Sequence, residues 1–157
     1  MQQIEFTIFG NPVALKRHRT VRTKNFIRQY DPSFNDKQDF LAKTMEYRPE
    51  EPLKGALMVS LFFNIARPKS HYRTGKNAGV LKDNAPIACT KRPDIDNYVK
   101  FVMDALNGVF WIDDSQIFSL YSVKQYSETP SIVIKIAETN ENEIRNYIEK
   151  YEGKNER

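Results

Sequence analysis

Residues 92–117 read "RPDIDNYVKFVMDALNGVFWIDDSQI". A helix is predicted from about Pro93–Asp96 to about Asn107. Tyr98, Phe101, Val102, Ala105 and Leu106 recur there at i, i+3, i+4, i+7 and i+8, which is one apolar stripe of a 3.6-residue period. Gly108 is suited to the C′ position that ends a helix. "VFWI" (109–112) reads as a short strand or extended entry, and "DDSQ" (113–116) as a turn. Asp94 and Asp96 stand one residue apart at the polar start of this helix, with Asn97 beside them. Asp113 and Asp114 follow its end.

On the N-terminal side, "QIEFTIFG" alternates Ile4, Phe6 and Ile8 and reads as a first strand, stopped by Gly10-Asn11-Pro12. The basic stretch after it reads as loop or irregular extended chain. "DPSFNDKQDFLAKTMEY" (31–47) is a predicted helix with Asp31 or Ser33 near its start and Phe34, Phe40, Leu41 and Met45 as core candidates. "GALMVSLFFNIA" (55–66) is a long apolar strand, and residues 67–93 form a long loop broken by Gly75, Gly79, Pro86 and Pro93. Loops longer than about 12–15 residues inside a domain are mostly functional or disordered, and positive charge favours function here. On the C-terminal side, "IFSLYSVKQYS" is a strand with Ile117, Ser119, Tyr121 and Val123 on one face, and "PSIVIKIAE" is the last strand. "NENEIRNYIEKYEG" closes as a helix with Asn140 and Glu143 spaced as a capping box. The expected order is β-α-β-loop-α-β-β-α: a mixed α/β, or α+β, single domain. A small sheet flanked by helices has antiparallel pairing at its end. The domain spans 1–157, with 1–137 as core and 138–157 as C-terminal helix and tail.

The chain has 157 residues, of which 40% are apolar, enough for one modest core. No run of 18 apolar residues offers a membrane span. The first ten residues lack the basic and apolar regions of a secretory signal. Cys89 is the single cysteine, which excludes an intrachain disulfide and a cysteine-based zinc site; the default compartment is the cytoplasm. Charge is segregated. Residues 16–28 hold six Lys/Arg and no acid, and residues 67–92 hold seven against Asp83 alone. Those two blocks carry +12 and the remainder −8, giving the net +4. Segregation of this kind is the footprint of a polyanion binder, because each neutralised phosphate releases counterions. The blander account is two solvated basic loops.

The carboxylates ask for a second explanation. One aspartate at a helix start is explained as a cap, but two with an adjacent Asn97 exceed that need. If "GVFWI" retraces the helix at up to ~3.3 Å per residue, Asp113 and Asp114 return beside Asp94 and Asp96 along a helix of ~18 Å. Three or four converging carboxylates require a cation, and hard oxygen donors suit Mg²⁺ or Mn²⁺. Lys100 lies one turn after Asp96, as a phosphate contact or as a surface pair with Asp96. Asp104 continues that face as a solvated residue or a support. His18 and His71 have no metal-ligand spacing and read as phosphate contacts or bystanders. By spacing alone, a metal-dependent nuclease and a non-catalytic nucleic-acid binder both stay open.

The composite string resembles the RusA family of Holliday junction resolvases of phages and prophages. The resemblance rests on Asp94, Asp96, Asn97 and Lys100, on "DALNG" (104–108) and on "DDSQI" (113–117). "GNPVALKRHR" (10–19) and "RPKSHY" (67–72) add to it, and it covers about residues 4–136. It implies a homodimeric, Mg²⁺-dependent endonuclease that nicks four-way DNA symmetrically in recombination and repair, with Mn²⁺ able to substitute. The family's acidic triad falls on Asp94, Asp96 and Asp114 and its essential lysine on Lys100, with Asp113 at a further acidic position. The basic residues expected to face DNA are Lys16, Arg17, Arg19, Lys69, His71, Arg73, Lys76, Lys91 and Arg92. Alternatives are a fork- or flap-selective DNA nuclease and a non-catalytic DNA-binding phage regulatory protein.

Overall fold

Alternation of apolar residues builds the sheet in the computed structural model, which describes residues 2–152. β1 (Gln2–Phe9) buries Phe6 and Ile8. β2 (Arg19–Arg22) and β3 (Ile27–Tyr30) form a separate antiparallel hairpin. α1 (Phe34–Thr44) follows, then β4 (Ala56–Ala66), α2 (Ile95–Leu106), β5 (Ile117–Ser127), β6 (Ser131–Thr139) and α3 (Glu141–Glu152). The main sheet has the order β1-β6-β4-β5. Leu57, Val59, Leu61 and Phe63 of β4 share the covered face with Ile132, Ile134 and Ile136 of β6. The stripe of α2 closes that face: Tyr98, Phe101, Val102, Ala105 and Leu106 are all buried, and the Phe63 and Tyr98 rings lie 5.3 Å apart. α1 packs on α2 through Phe40 and Phe101, edge to face at 5.6 Å.

The predicted order is observed, with four corrections. The basic stretch is a β-ribbon rather than irregular chain. Thr20, Val21 and Ile27 supply strand propensity beneath the charge, and Thr23 closes the turn by donating its N–H to Phe26 O at 2.9 Å. The two strands before α3 are not paired with each other. The crossover through α2 returns β5 parallel to β4, as a helical connection does. β6 then takes the other edge of β4, antiparallel to both β4 and β1. "VFWI" makes no strand; Gly108 N–H bonds Trp111 O at 2.8 Å and Phe110 N–H bonds Leu106 O at 2.9 Å. Gly108 has the positive φ of 77° expected at C′. Phe34, the first residue of α1, is exposed rather than core.

At the C-terminal end the capping box forms: Asn140 Oδ1 accepts from Glu143 N at 3.1 Å while Asn140 N–H donates to Glu143 Oε2 at 3.0 Å. The tail, 153–157, lies outside the described residues. No helix of the described residues is long and apolar enough to cross a membrane.

Candidate active site

α2 begins at Asp94, whose backbone is extended (φ −69°, ψ 150°). Its carboxylate makes no capping hydrogen bond, so the ordinary use of an aspartate in this position is not made. Asp96 lies in the first helical turn and Lys100 one turn on, both exposed. Among the described residues, Asp94, Asp96 and Lys100 make no side-chain hydrogen bond or ion pair; the Asp96–Lys100 surface pair is not formed. The chain entering the helix is held from below. Lys124 Nζ donates to Lys91 O at 2.6 Å and to Pro93 O at 2.7 Å.

The second aspartate pair is divided by its surroundings. Asp113 is the cap of a one-turn 3-10 helix: its Oδ1 accepts from Ser115 N–H at 2.8 Å, and the Ser115 side chain first, with this backbone bond second, holds its carboxyl below the ordinary value. Asp114 is half-buried, and Trp111 Nε1–H donates to its Oδ1 at 2.7 Å. Burial pushes the Asp114 carboxyl above the ordinary value, Asp104 and Asp113 add to that, and the indole bond opposes it. Gln116 ties the turn to the chain before β4. Its amide donates to Leu53 O and Gly55 O, each at 2.9 Å, and its Oε1 accepts from Ile112 N at 2.8 Å and Asp113 N at 2.9 Å.

Within one chain the two pairs do not meet. The turn at Gly108–Trp111 keeps Asp113 and Asp114 at the C-terminal end of α2, whereas Asp94 and Asp96 lie at its N-terminal end. A 12-residue helix separates them by about 18 Å. Consistent with this, the acidic neighbours acting on Asp114 are Asp104 and Asp113. Among the described residues no group of three or more His, Cys, Asp or Glu side chains is placed to hold a metal ion. Asp104, read from sequence as solvated or supporting, accepts from Lys37 Nζ at 3.4 Å, and Lys37 also pairs with Asp31 at 2.6 Å. The Lys37 bond holds the Asp31 carboxyl below its ordinary value.

The basic positions fall into two groups. Arg17, Arg19, Lys69, Lys76, Lys91 and Arg92 are exposed. The others make surface pairs within the chain: Lys16, also exposed, with Asp36 at 2.9 Å and Arg73 with Asp83 at 3.0 Å. The His71 ring meets Tyr126 edge to face at 4.7 Å. Sequence reading passed over Arg22, Lys24 and Arg28 as individual contacts, although they stand on the exposed ribbon with Phe26 and Tyr30; their signal was the acid-free run itself. It also gave no role to Lys124, which holds the carbonyls of Lys91 and Pro93, to Trp111, which bonds Asp114, or to the Gln116 side chain, which accepts from Asp113 N. The long loop is ordered by a Tyr72–Leu81 bridge and by Cys89 N–H bonding Lys124 O at 3.1 Å. A hollow of about 220 Å³, lined by Ile8, Gly10, Asp36, Asp39, Phe40 and Phe101, belongs to the β1–α1 side, and none of Asp94, Asp96, Asp113 and Asp114 lines it.

The Endodeoxyribonuclease RusA family model matches residues 10–137, so β1 and α3 fall outside the match. The uncharacterized protein YqaN of Bacillus subtilis (strain 168) is 34% identical over 140 residues, 88% of this chain and 98% of the relative. The crossover junction endodeoxyribonuclease rusA of Lactococcus phage r1t is 27% identical over 143 residues, 87% of this chain and 97% of the relative.

Proposed function

The chain belongs to the RusA endodeoxyribonuclease family, and from that premise we propose that it resolves four-way DNA junctions by paired, symmetric, Mg²⁺-dependent nicks. A nuclease follows from the family itself; the junction, the metal, the pairing and a role in recombination and repair are the proposal. The observation that carries it is the exposed run Asp94, Asp96 and Lys100, three charged groups with no intramolecular use, set beside the exposed bases Lys91 and Arg92. A protein that merely binds phosphate gains nothing from acids at that position.

The donor chemistry fits a hard divalent cation: Asp94 and Asp96 offer carboxylate oxygens, and Mn²⁺ can replace Mg²⁺ on such ligands. An ion bound there would lower the pKa of a water and offset charge on the phosphate. Lys100 contacts the scissile phosphate or the leaving oxygen. Asp114, with Asp113 beside it, completes the set in a homodimer. A two-fold axis that lays α2 of one copy antiparallel to α2 of another brings Asp114 of the second copy toward Asp94 and Asp96 of the first, and the reverse. The same symmetry supplies two sites for two cuts. The basic face then meets the phosphates, through Arg17, Arg19, Lys69, Lys76, Lys91 and Arg92 and through the ribbon residues Arg22, Lys24 and Arg28. The two-stranded ribbon has the width that a major groove admits. We read 1–157 as one cytoplasmic endonuclease domain with an appended C-terminal helix.

The test is to map cut sites on a mobile four-way junction, wild type against Asp94→Asn. Wild type is expected to nick opposing strands at related positions in Mg²⁺, and Asp94→Asn to bind without cutting. Junction binding with no cleavage in either Mg²⁺ or Mn²⁺ overturns the proposal. Equal cleavage of forks would point to the branched-DNA alternative.

A further inference from the structure

Lys124 occupies a position that sequence alone assigns to the sheet. It pairs with Phe63 across β4 and β5, so its side chain starts on the covered face, beside the buried Phe63. A lysine there loses rotamer freedom and solvation. What it gains is a grip on the chain above it. The ammonium passes 5.9 Å from the Tyr98 ring centroid and ends on the carbonyls of Lys91 and Pro93, at 2.6 and 2.7 Å. The main chain of the same residue holds this segment again, since Lys124 O accepts from Cys89 N–H at 3.1 Å.

The second grip falls directly before Asp94. Pro93 O belongs to the peptide that joins Pro93 to Asp94. Asp94 does not fix itself by capping α2, so its direction is set by the backbone that delivers it. We infer that Lys124 is a positioning residue for the catalytic aspartates: its ammonium clamps the 91–93 turn and thereby aims Asp94 and Asp96 outward while leaving both carboxylates unspent. This rests on the active-site reading above.

Three variants test it in the full-length protein: Lys124→Met, which keeps the length and loses the donors; Lys124→Arg, whose guanidinium can serve two carbonyls; and Lys124→Gln, to be used if the Met variant does not fold. Two readouts are needed. Hydrogen exchange of the Asn97 amide, which donates to Asp94 O, is expected to speed up at least tenfold in Lys124→Met or Lys124→Gln, with amides 101–106 of α2 unchanged and Lys124→Arg close to wild type. Mn²⁺ affinity, read by paramagnetic resonance on the free protein, is expected to fall about tenfold in the same variant and to recover with Arg, while junction affinity without metal stays within about twofold. Unchanged exchange at Asn97 in a folded variant overturns the inference. So does a lost grip on 94–97 that leaves Mn²⁺ affinity at the wild-type value. If the wild-type protein binds no Mn²⁺ and cuts nothing, the active-site reading fails instead, and the exchange data still decide whether Lys124 holds the turn.

Discussion

The indole Nε1–H of Trp111 donates to Oδ1 of Asp114 at 2.7 Å from a ring that is fully buried. A core residue therefore fixes the direction of a half-buried carboxylate at the rim. Trp111→Phe keeps most of the packing and removes the donor. A hydrogen bond to a charged group contributes about 1.5–3 kcal/mol, so urea unfolding should show a loss of about that size. Nicking of a four-way junction should slow by roughly 10- to 100-fold if Asp114 loses its orientation. Wild-type rates in a folded Trp111→Phe protein would separate Asp114 from the chemistry.

The same carboxylate sets a pH dependence. Burial, followed by Asp104 and Asp113, raises the folded value of Asp114 above the ordinary 3.8. A raised acid favours folding fully below its unfolded value and loses that contribution as pH rises through the folded one. Asp114→Asn removes the charge and keeps an acceptor for Trp111. It should therefore melt higher than wild type at about pH 7.5, with the difference shrinking toward about pH 3.5, and it should not cleave. A lower melting temperature at neutral pH would contradict the burial of this group.

A dimer with shared sites predicts complementation. Asp94→Asn and Asp114→Asn homodimers should both be inactive. Refolded together, they should regain nicking, because one of the two sites in the mixed dimer then holds intact Asp94, Asp96 and Asp114. Such a dimer should nick one strand and lose paired cutting. Sites confined to one chain would leave every mixture inactive, and gel assays with a labelled strand distinguish the outcomes.

The β2–β3 ribbon predicts a change in salt dependence. Each lost phosphate contact reduces the slope of log affinity against log salt by about 0.9 on duplex DNA. Replacing Arg22, Lys24 and Arg28 by alanine should lower the slope by up to about 3. Thermal stability should hold, since all three are exposed. An unchanged slope would remove the ribbon from the DNA interface.

How legible the molecule was in its sequence depends on the range of the interaction. The α2 stripe, the Gly108 stop and the Asn140–Glu143 capping box were readable because each is set by residues within one or two turns. The β-ribbon was obscured because six bases masked its strand propensity. The order β1-β6-β4-β5 was not readable, because which edge of β4 a strand takes depends on the α2 crossover.

By itself the sequence determined the three helices and the four strands of the main sheet, the acid-free basic blocks and the identity of the aspartates and lysine that carry the family pattern. The tertiary structure alone decided their use. It assigned Asp113 to a local cap and Asp114 to Trp111, and it withheld Asp94 from capping. The short turn after α2 set the two aspartate pairs at opposite ends of the helix. The reason is physical: a motif specifies chemical groups, whereas the direction and separation of those groups come from the buried residues and backbone carbonyls that hold them.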